Sequence, residues 1–457
     1  MGDEINRRDF MKRAAFTTAG VSISMAGLST TNVLGANDRI RLGVIGTGRQ
    51  GVYDMEDFIH HGVEVAALCD VYQPNLDKCL ATAGGKAKTC KDFRDVLGDK
   101  EIDAVLIATP DHWHALPAVE ACKAGKDVYV EKPICVAVEE GQKMVAAARK
   151  YNRVVQTGLW QRSNLHFQKA AELVQSGVLG KVSFVRTWNY SNNYPKGQGV
   201  YADSDPPAGL DWDLWLGPAP KVHYNFQRFG VAENRWSTFR YFYDYANGWP
   251  GDWGVHLMDI VQWAMKTDGP TGITAIGFKH FIQDNTETPD TLEITWEYPD
   301  FIATYENRLC NGNSMYKHPY GIEFHGTDAT LLLDRSGFEV FPEPVEQGDY
   351  RDLKKSAGDK GEREELGKAP SMRMECVDDG VLIHVGNFLD CMRTRKPPRV
   401  DIEAGHRSSS CCLLANVALR TREHLEWDVA NQKLLKGSAE AQKLLGREYR
   451  APWKLTV

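Results

Sequence analysis

The chain has 457 residues, 42% of them hydrophobic and 25% charged, with a net charge of −7. Such a length covers two to three domains, and the balance excludes a disordered or collagen-like polypeptide. A mildly acidic body also offers no long-range attraction to nucleic acid or anionic lipid, so no nucleic-acid partner is expected.

The first 36 residues read as a targeting segment outside the fold. Asn6-Arg7-Arg8-Asp9-Phe10-Met11-Lys12 precedes a weakly apolar, uncharged stretch from Ala14 to Ala36. The pattern resembles a twin-arginine export signal with Arg7 and Arg8 as the pair. It implies the twin-arginine export machinery as a partner, export in the folded state, and a periplasmic or other extracytoplasmic location. No later stretch approaches about 18 uninterrupted apolar residues, the length a membrane-spanning helix needs. The ten cysteines include no Cys-x-x-Cys pair. That favours buried free thiols over a zinc or redox motif.

Residues 37–160 alternate strand and helix. Ile40–Ile45 is a short apolar run, followed by Gly46-Thr47-Gly48-Arg49-Gln50-Gly51 and a helical pattern through His60. Val63–Cys69 is the next strand and ends at Asp70, 24 residues after the first glycine. This is a G-x-G-x-x-G turn between strand and helix with its distant acid, the arrangement of a dinucleotide site. Gly46 permits the tight turn, Gly48 lets the backbone approach a pyrophosphate, and Gly51 lets helix and strand pack closely. The helix start offers free N–H groups to the phosphates. Asp70 can accept both ribose hydroxyls and repels a 2′-phosphate, so NAD is expected ahead of NADP.

Ile102–Ala108, Asp127–Val130 and Val154–Thr157 are further strands, with helices at Trp113–Ala124 and Val136–Lys150. Such alternation predicts an α/β Rossmann domain with a parallel, doubly wound sheet, and ligands sit at the carboxyl ends of its strands. Those ends carry Thr109-Pro110-Asp111-His112, Glu131-Lys132-Pro133 and the segment from Gly158 to Arg162. Thr109, Pro110, His112, His114, Glu131, Lys132, Gln161 and Arg162 are therefore candidate cofactor contacts. His112 and His114 lack a third ligand at suitable spacing, so they are read as packing or pocket groups and no metal is expected.

Residues 161–380 read as an α+β domain with a large, mostly antiparallel open sheet. The extended pattern covers Lys181–Tyr190 and Gly272–Leu333, and Pro299-Asp300 marks a hairpin between Thr291–Tyr298 and Phe301–Arg308. Residues 345–372 are charged and read as a solvated loop. Residues 381–457 begin with two helical patterns, Val381–Met392 and His406–Arg422.

Ala108-Thr109-Pro110-Asp111-His112-Trp113-His114, followed by Glu131-Lys132-Pro133 and by Asp252-Trp253-Gly254-Val255-His256, resembles the Gfo/Idh/MocA oxidoreductases. DWDLWLG at 211–217, DIEAGHRS at 401–408 and YRAPWKL at 449–455 extend the likeness. The resemblance implies an NAD-dependent oxidoreductase acting on carbohydrate hydroxyls, a homodimer or homotetramer, and C-terminal helices that return to the nucleotide domain.

The candidate catalytic residues are Lys132, Asp252 and His256. Alcohol oxidation needs a hydroxyl proton removed as hydride leaves carbon, a task suited to histidine. Asp252, four residues earlier on the same helix, is expected to orient His256, and Lys132 to stabilise developing alkoxide charge. Asp259 is equally open to a structural or a substrate-binding role. Seven of the twelve tryptophans lie between 188 and 263. One to three of them are expected to line a sugar cleft with Lys132, Arg162, Tyr190, Trp249, Asp252 and His256. The alternative function is a redox-neutral glycoside hydrolase or lyase working through a transient 3-keto sugar. It would need an extra base, with Tyr190, Tyr243 or His406 as candidates.

Overall fold

The computed structural model describes residues 39–231, 236–314, 316–343 and 370–457. The segment with Arg7 and Arg8 and residues 345–369 of the charged loop lie outside the described residues.

The first sheet contains β1 (Arg41–Ile45), β2 (Glu64–Cys69), β3 (Lys88–Cys90), β4 (Ala104–Ile107), β5 (Asp127–Val130) and β6 (Val155–Thr157). Its order is β3-β2-β1-β4-β5-β6 and every pairing is parallel. The order reverses between β1 and β4, which opens a crevice at their carboxyl ends. Both faces of this sheet are covered, so β4 and β5 are buried at every position.

The second sheet has ten strands: β7 (Phe184–Tyr190), β8 (Gly272–Phe278), β9 (Thr291–Glu297), β10 (Ile302–Arg308), β11 (Tyr320–His325), β12 (Ala329–Asp334), β13 (Gly337–Pro342), β14 (Met372–Glu375), β15 (Leu425–Asp428) and β16 (Lys433–Lys436). The order is β14-β13-β12-β11-β7-β10-β9-β8-β15-β16. All pairings are antiparallel except β7 with β10. The expected hairpin is present, with Ile302 opposite Glu297. Leu292, Ile294 and Trp296 point into the core while Glu293 and Glu297 face outward, the alternation of a half-covered sheet. Helix Ile402–Thr421 lies on the inner face, where its Cys411 carbonyl accepts the Trp296 indole N–H at 3.1 Å.

The C-terminal segment serves both halves. Helix Gly380–Thr394 packs on helix Arg49–His60 through Phe388 and Phe58, with ring centroids 6.0 Å apart. β15 and β16 instead extend the second sheet from β8. The tail then returns to the first domain. Tyr449 donates to Glu140 at 2.6 Å, and the Trp453 ring meets Trp113 at 4.9 Å. All ten cysteines are free thiols and seven are buried. Among the described residues no helix is long and apolar enough to cross a membrane.

Candidate active site

The carboxyl ends of β1, β2, β4 and β5 face the second domain across a cavity of about 1220 Å³. Gly46 turns the chain out of β1 at φ +91°. A Cβ there would lie 2.6 Å from the Thr109 backbone nitrogen, and one on Gly51 would lie 2.0 Å from the Gly46 carbonyl oxygen. Both glycines are therefore demanded by close backbone approach. Gly48 differs, since a Cβ there would meet only the Asn75 side chain, at 3.8 Å. The space above it is open to the cavity. Helix Arg49–His60 starts at this point with no side-chain cap, leaving its first amides for a ligand.

Asp70 closes the far side of the cradle. Its Oδ2 accepts the Thr47 N–H at 2.8 Å and the Thr47 hydroxyl at 3.0 Å, and its Oδ1 accepts the Tyr72 N–H at 2.9 Å. Burial raises this carboxyl, and those amides oppose the rise. Gly46, Thr47, Gly48, Arg49, Gln50, Asp70, Thr109, Pro110, His114, Glu131 and Lys132 all line the cavity.

The second end of the cavity holds Lys132, Asp252 and His256. Lys132 Nζ donates to Asp252 Oδ1 at 2.9 Å and to its carbonyl oxygen at 3.0 Å. Arg240 Nε donates to the same Oδ1 at 3.1 Å. Burial alone would raise the Asp252 carboxyl, but Lys132 and Arg240 overcome it and hold the group well below the usual carboxylate range. The expected bond from Asp252 to His256 is not formed. Residues Pro250–Gly254 form a π-helical turn before helix Val255–Ala264, and this wide turn takes Asp252 off the four-residue face of an α-helix. His256 Nδ1 is buried without a partner. Burial, with the charges of Lys132 and Arg335, pushes the imidazole well below its ordinary range, so it is neutral.

Burial also raises two neighbouring carboxyls, Glu131 and Asp111, each to about 7. Thr109 Oγ1, Glu131 Oε1, Asp54 Oδ2, Trp249 Nε1 and His256 Nδ1 are buried polar atoms without partners. All five residues line this cavity. So many orphaned groups around one cavity suit a polar ligand. With the open space above Gly48 and the uncapped helix, the residues present fit a dinucleotide.

Several sequence candidates lie outside the lining. Gly51 works by packing beneath the turn. His112 is buried among Trp215 and Tyr245 and bonds the Trp215 carbonyl at 2.9 Å. Gln161 accepts from Arg335. Arg162 forms a buried pair with Asp259 at 2.7 Å, and Ser408 adds a bond to that carboxylate, so Asp259 is structural. Tyr190 donates to Glu306 at 2.9 Å within the second sheet. Tyr243 lies under Arg420, and His406 is buried beside Ser410.

Four of the seven clustered tryptophans, Trp215, Trp236, Trp249 and Trp253, line the cavity as a whole. Asp54, Tyr241 and Arg335 escape the sequence reading. Arg335 occupies the tight turn between β12 and β13, a hairpin signal that says nothing about what the turn faces. Among the described residues, His166, Cys376 and Asp378 also cluster with metal-ligand atoms within 4.8 Å. The Asp378 oxygens already accept the Asn164 side chain and the Leu165 N–H, which ties this group to the start of helix Leu165–Gln175.

Comparison with known proteins agrees with this geometry. Residues 40–159 match the family model described as Gfo/Idh/MocA oxidoreductase, NAD-binding Rossmann fold. Residues 163–348 and 374–455 match the C-terminal alpha/beta domain of the same oxidoreductase family. A glycosyl hydrolase family 109 protein of Shewanella sp. (strain W3-18-1) is 31% identical over 207 residues, 39% of this chain and 44% of the relative. The chain thus spans less than half the length of the curated relatives it matches. The WlbA dehydrogenase of Chromobacterium violaceum, solved with NADH and UDP-GlcNAcA, superimposes with a TM-score of 0.61 at 16% identity, covering 85% of this chain and 96% of that one. Levoglucosan dehydrogenase, solved with NADH and levoglucosan, gives 0.61 at 15% identity, covering 85% and 99%.

Proposed function

The chain belongs to the Gfo/Idh/MocA family of NAD-binding oxidoreductases, and we propose that it moves hydride between tightly held NAD and a secondary hydroxyl of a sugar or glycoside. The observation that carries this reading is the meeting of Lys132, Asp252 and His256 on the same cavity as the glycine cradle. Nicotinamide held there supplies the hydride acceptor or donor.

Two Lys132 N–H groups are engaged by Asp252, which leaves the third to bind the substrate oxygen and stabilise its developing negative charge. His256 is neutral and accepts the hydroxyl proton. Asp252, gripped by both Lys132 and Arg240, positions the ammonium and balances its charge. The indole faces of Trp249 and Trp253 suit the apolar C–H faces of a sugar. UDP-GlcNAcA and levoglucosan, the sugar ligands of two structural neighbours, support that substrate class.

The glycosyl hydrolase relatives favour a second reading, redox-neutral cleavage through a transient 3-keto sugar. Neither His406 nor the phenols of Tyr190 and Tyr243 lines the cavity, whereas Tyr241 does. Burial raises the Tyr241 phenol and keeps it protonated, so it serves as a donor. The Arg7-Arg8 pattern further supports twin-arginine export to an extracytoplasmic site. Free NAD is scarce there, and the cofactor must then be carried in and recycled in place. Ile276 and Ile302, exposed on one face of the second sheet, support a homodimer or homotetramer.

The test uses protein purified after export. Its nicotinamide is quantified after denaturation, and the intact protein is mixed with sugars and glycosides without added NAD. We expect near-stoichiometric nicotinamide and its reduction in stopped-flow traces. Protein that turns over only with added NAD overturns the tight-binding reading, and no reduction by any member overturns sugar oxidation. Released aglycone with deuterium from solvent at C2 selects cleavage.

A further inference from the structure

Three cations stand at the reacting end of the cavity, and two of them share one carboxylate. Lys132 and Arg240 both bond Asp252. The third, Arg335, pairs with no carboxylate among the described residues. Among the described residues its guanidinium bonds only the Gln161 amide oxygen, at 3.3 and 3.4 Å. The guanidinium is held between two indoles, 4.7 Å from the Trp160 ring centroid and 4.5 Å from that of Trp253. All three side chains line the cavity.

The placement is built rather than incidental. Asp334 ends β12 and fixes the following turn by accepting the Ser336 N–H at 2.7 Å and a bond from His318 at 2.7 Å. This anchors the Arg335 backbone at the cavity wall. Its place between two indoles then holds the guanidinium and limits its hydration. A half-buried cation treated this way is costly unless a counter-charge arrives. The same two indoles flank His256, with ring centroids 6.3 Å from it in each case. An anion on Arg335 would therefore sit on the same stretch of cavity wall as the proton acceptor. It would also cancel one of the two positive charges that depress the His256 imidazole.

We propose that Arg335 is the subsite for an anionic group on the substrate, a carboxylate or sulfate ester, so that the enzyme acts on acidic sugars. This rests on the reading that the cavity takes a sugar. The planar fork of the guanidinium suits either group.

Isothermal titration of the NAD-loaded protein tests it with matched pairs: glucose against glucuronate, galactose against galacturonate, and each neutral sugar against its 6-sulfate. At least one acidic member should bind about tenfold tighter than its neutral partner. The uronate and sulfate arms identify which anion is taken. Arg335→Gln should bring that ratio close to one, and Arg335→Lys should restore part of it. Nicotinamide content equal to wild type shows that each variant is folded. Neutral sugars that bind as tightly, or a preference that survives Arg335→Gln, overturn the assignment. Acidic sugars that bind through Arg335 without reducing nicotinamide overturn the oxidoreductase reading alone. Neutral sugars oxidised as efficiently as their acidic partners, by wild type and Arg335→Gln alike, overturn this inference alone, and binding by no member overturns both.

Discussion

The nucleotide cradle and the substrate wall line the same cavity, yet they are made in different ways. The cradle is six consecutive residues, 46–51, closed by one acid at the end of the next strand. Its working groups are backbone amides and the space left by missing side chains. The wall is assembled from side chains at 132, 160, 240–241, 249, 252–253, 256 and 335, carried by both domains and a π-helical turn. Its working groups are charges whose behaviour depends on what surrounds them. The cradle should therefore fail by shape and the wall by charge.

The largest effect should come from the wall. Lys132→Ala removes the ammonium proposed to bind the substrate oxygen and frees Asp252 from one partner. We expect kcat to fall about a thousandfold with nicotinamide content unchanged, measured by stopped-flow on the purified holoprotein. Loss of nicotinamide as well would make Lys132 part of the cradle.

Two glycine variants test the cradle next. In Gly51→Ala the new methyl lies 2.0 Å from a backbone oxygen, which cannot move aside cheaply. Stability should fall by about 1–3 kcal/mol, and bound nicotinamide should be lost. In Gly48→Ala the methyl has room within the protein. The melting temperature of the cofactor-free protein should hold while NAD affinity drops about tenfold, because the methyl takes the place of the pyrophosphate. Equal losses of melting temperature would show that both glycines serve packing alone.

The same contrast explains what was legible in the sequence. The cradle, the parallel sheet and the hairpin at Pro299-Asp300 depend on local spacing, and the structure has them where the pattern puts them. Lys132 and His256 were found because each sits in a short motif at the end of an element. The bond expected from Asp252 to His256 assumed α-helical geometry, and a π turn beginning at Pro250 changed the outcome. Arg162 looked like a pocket cation until Asp259, 97 residues away, claimed it. Arg335 looks like an ordinary turn residue, since Trp160 and Trp253 are distant in sequence and reach it only through tertiary packing. Short helices and strands between residues 71 and 101 carry too little periodicity to stand out.

The smallest predicted effect separates the two regions by pH. Asp111, at the end of the motif that follows β4, is 6% exposed, and burial raises its carboxyl to about 7 against the opposing pull of Arg240 and Lys132. In the unfolded chain the same group ionises near pH 4. Between about pH 4 and 7 the folded state thus keeps a proton that the unfolded state has released, so stability declines as pH rises through this window. Asp111→Asn cannot ionise and escapes the decline. The melting temperature of the cofactor-free variant should match wild type near pH 4 and exceed it by a few degrees at pH 8. A gap that does not change with pH would mean that Asp111 ionises as freely as a surface carboxylate. Lys132 and Arg240 would then outweigh its burial, and the wall would hold two firm carboxylates instead of one.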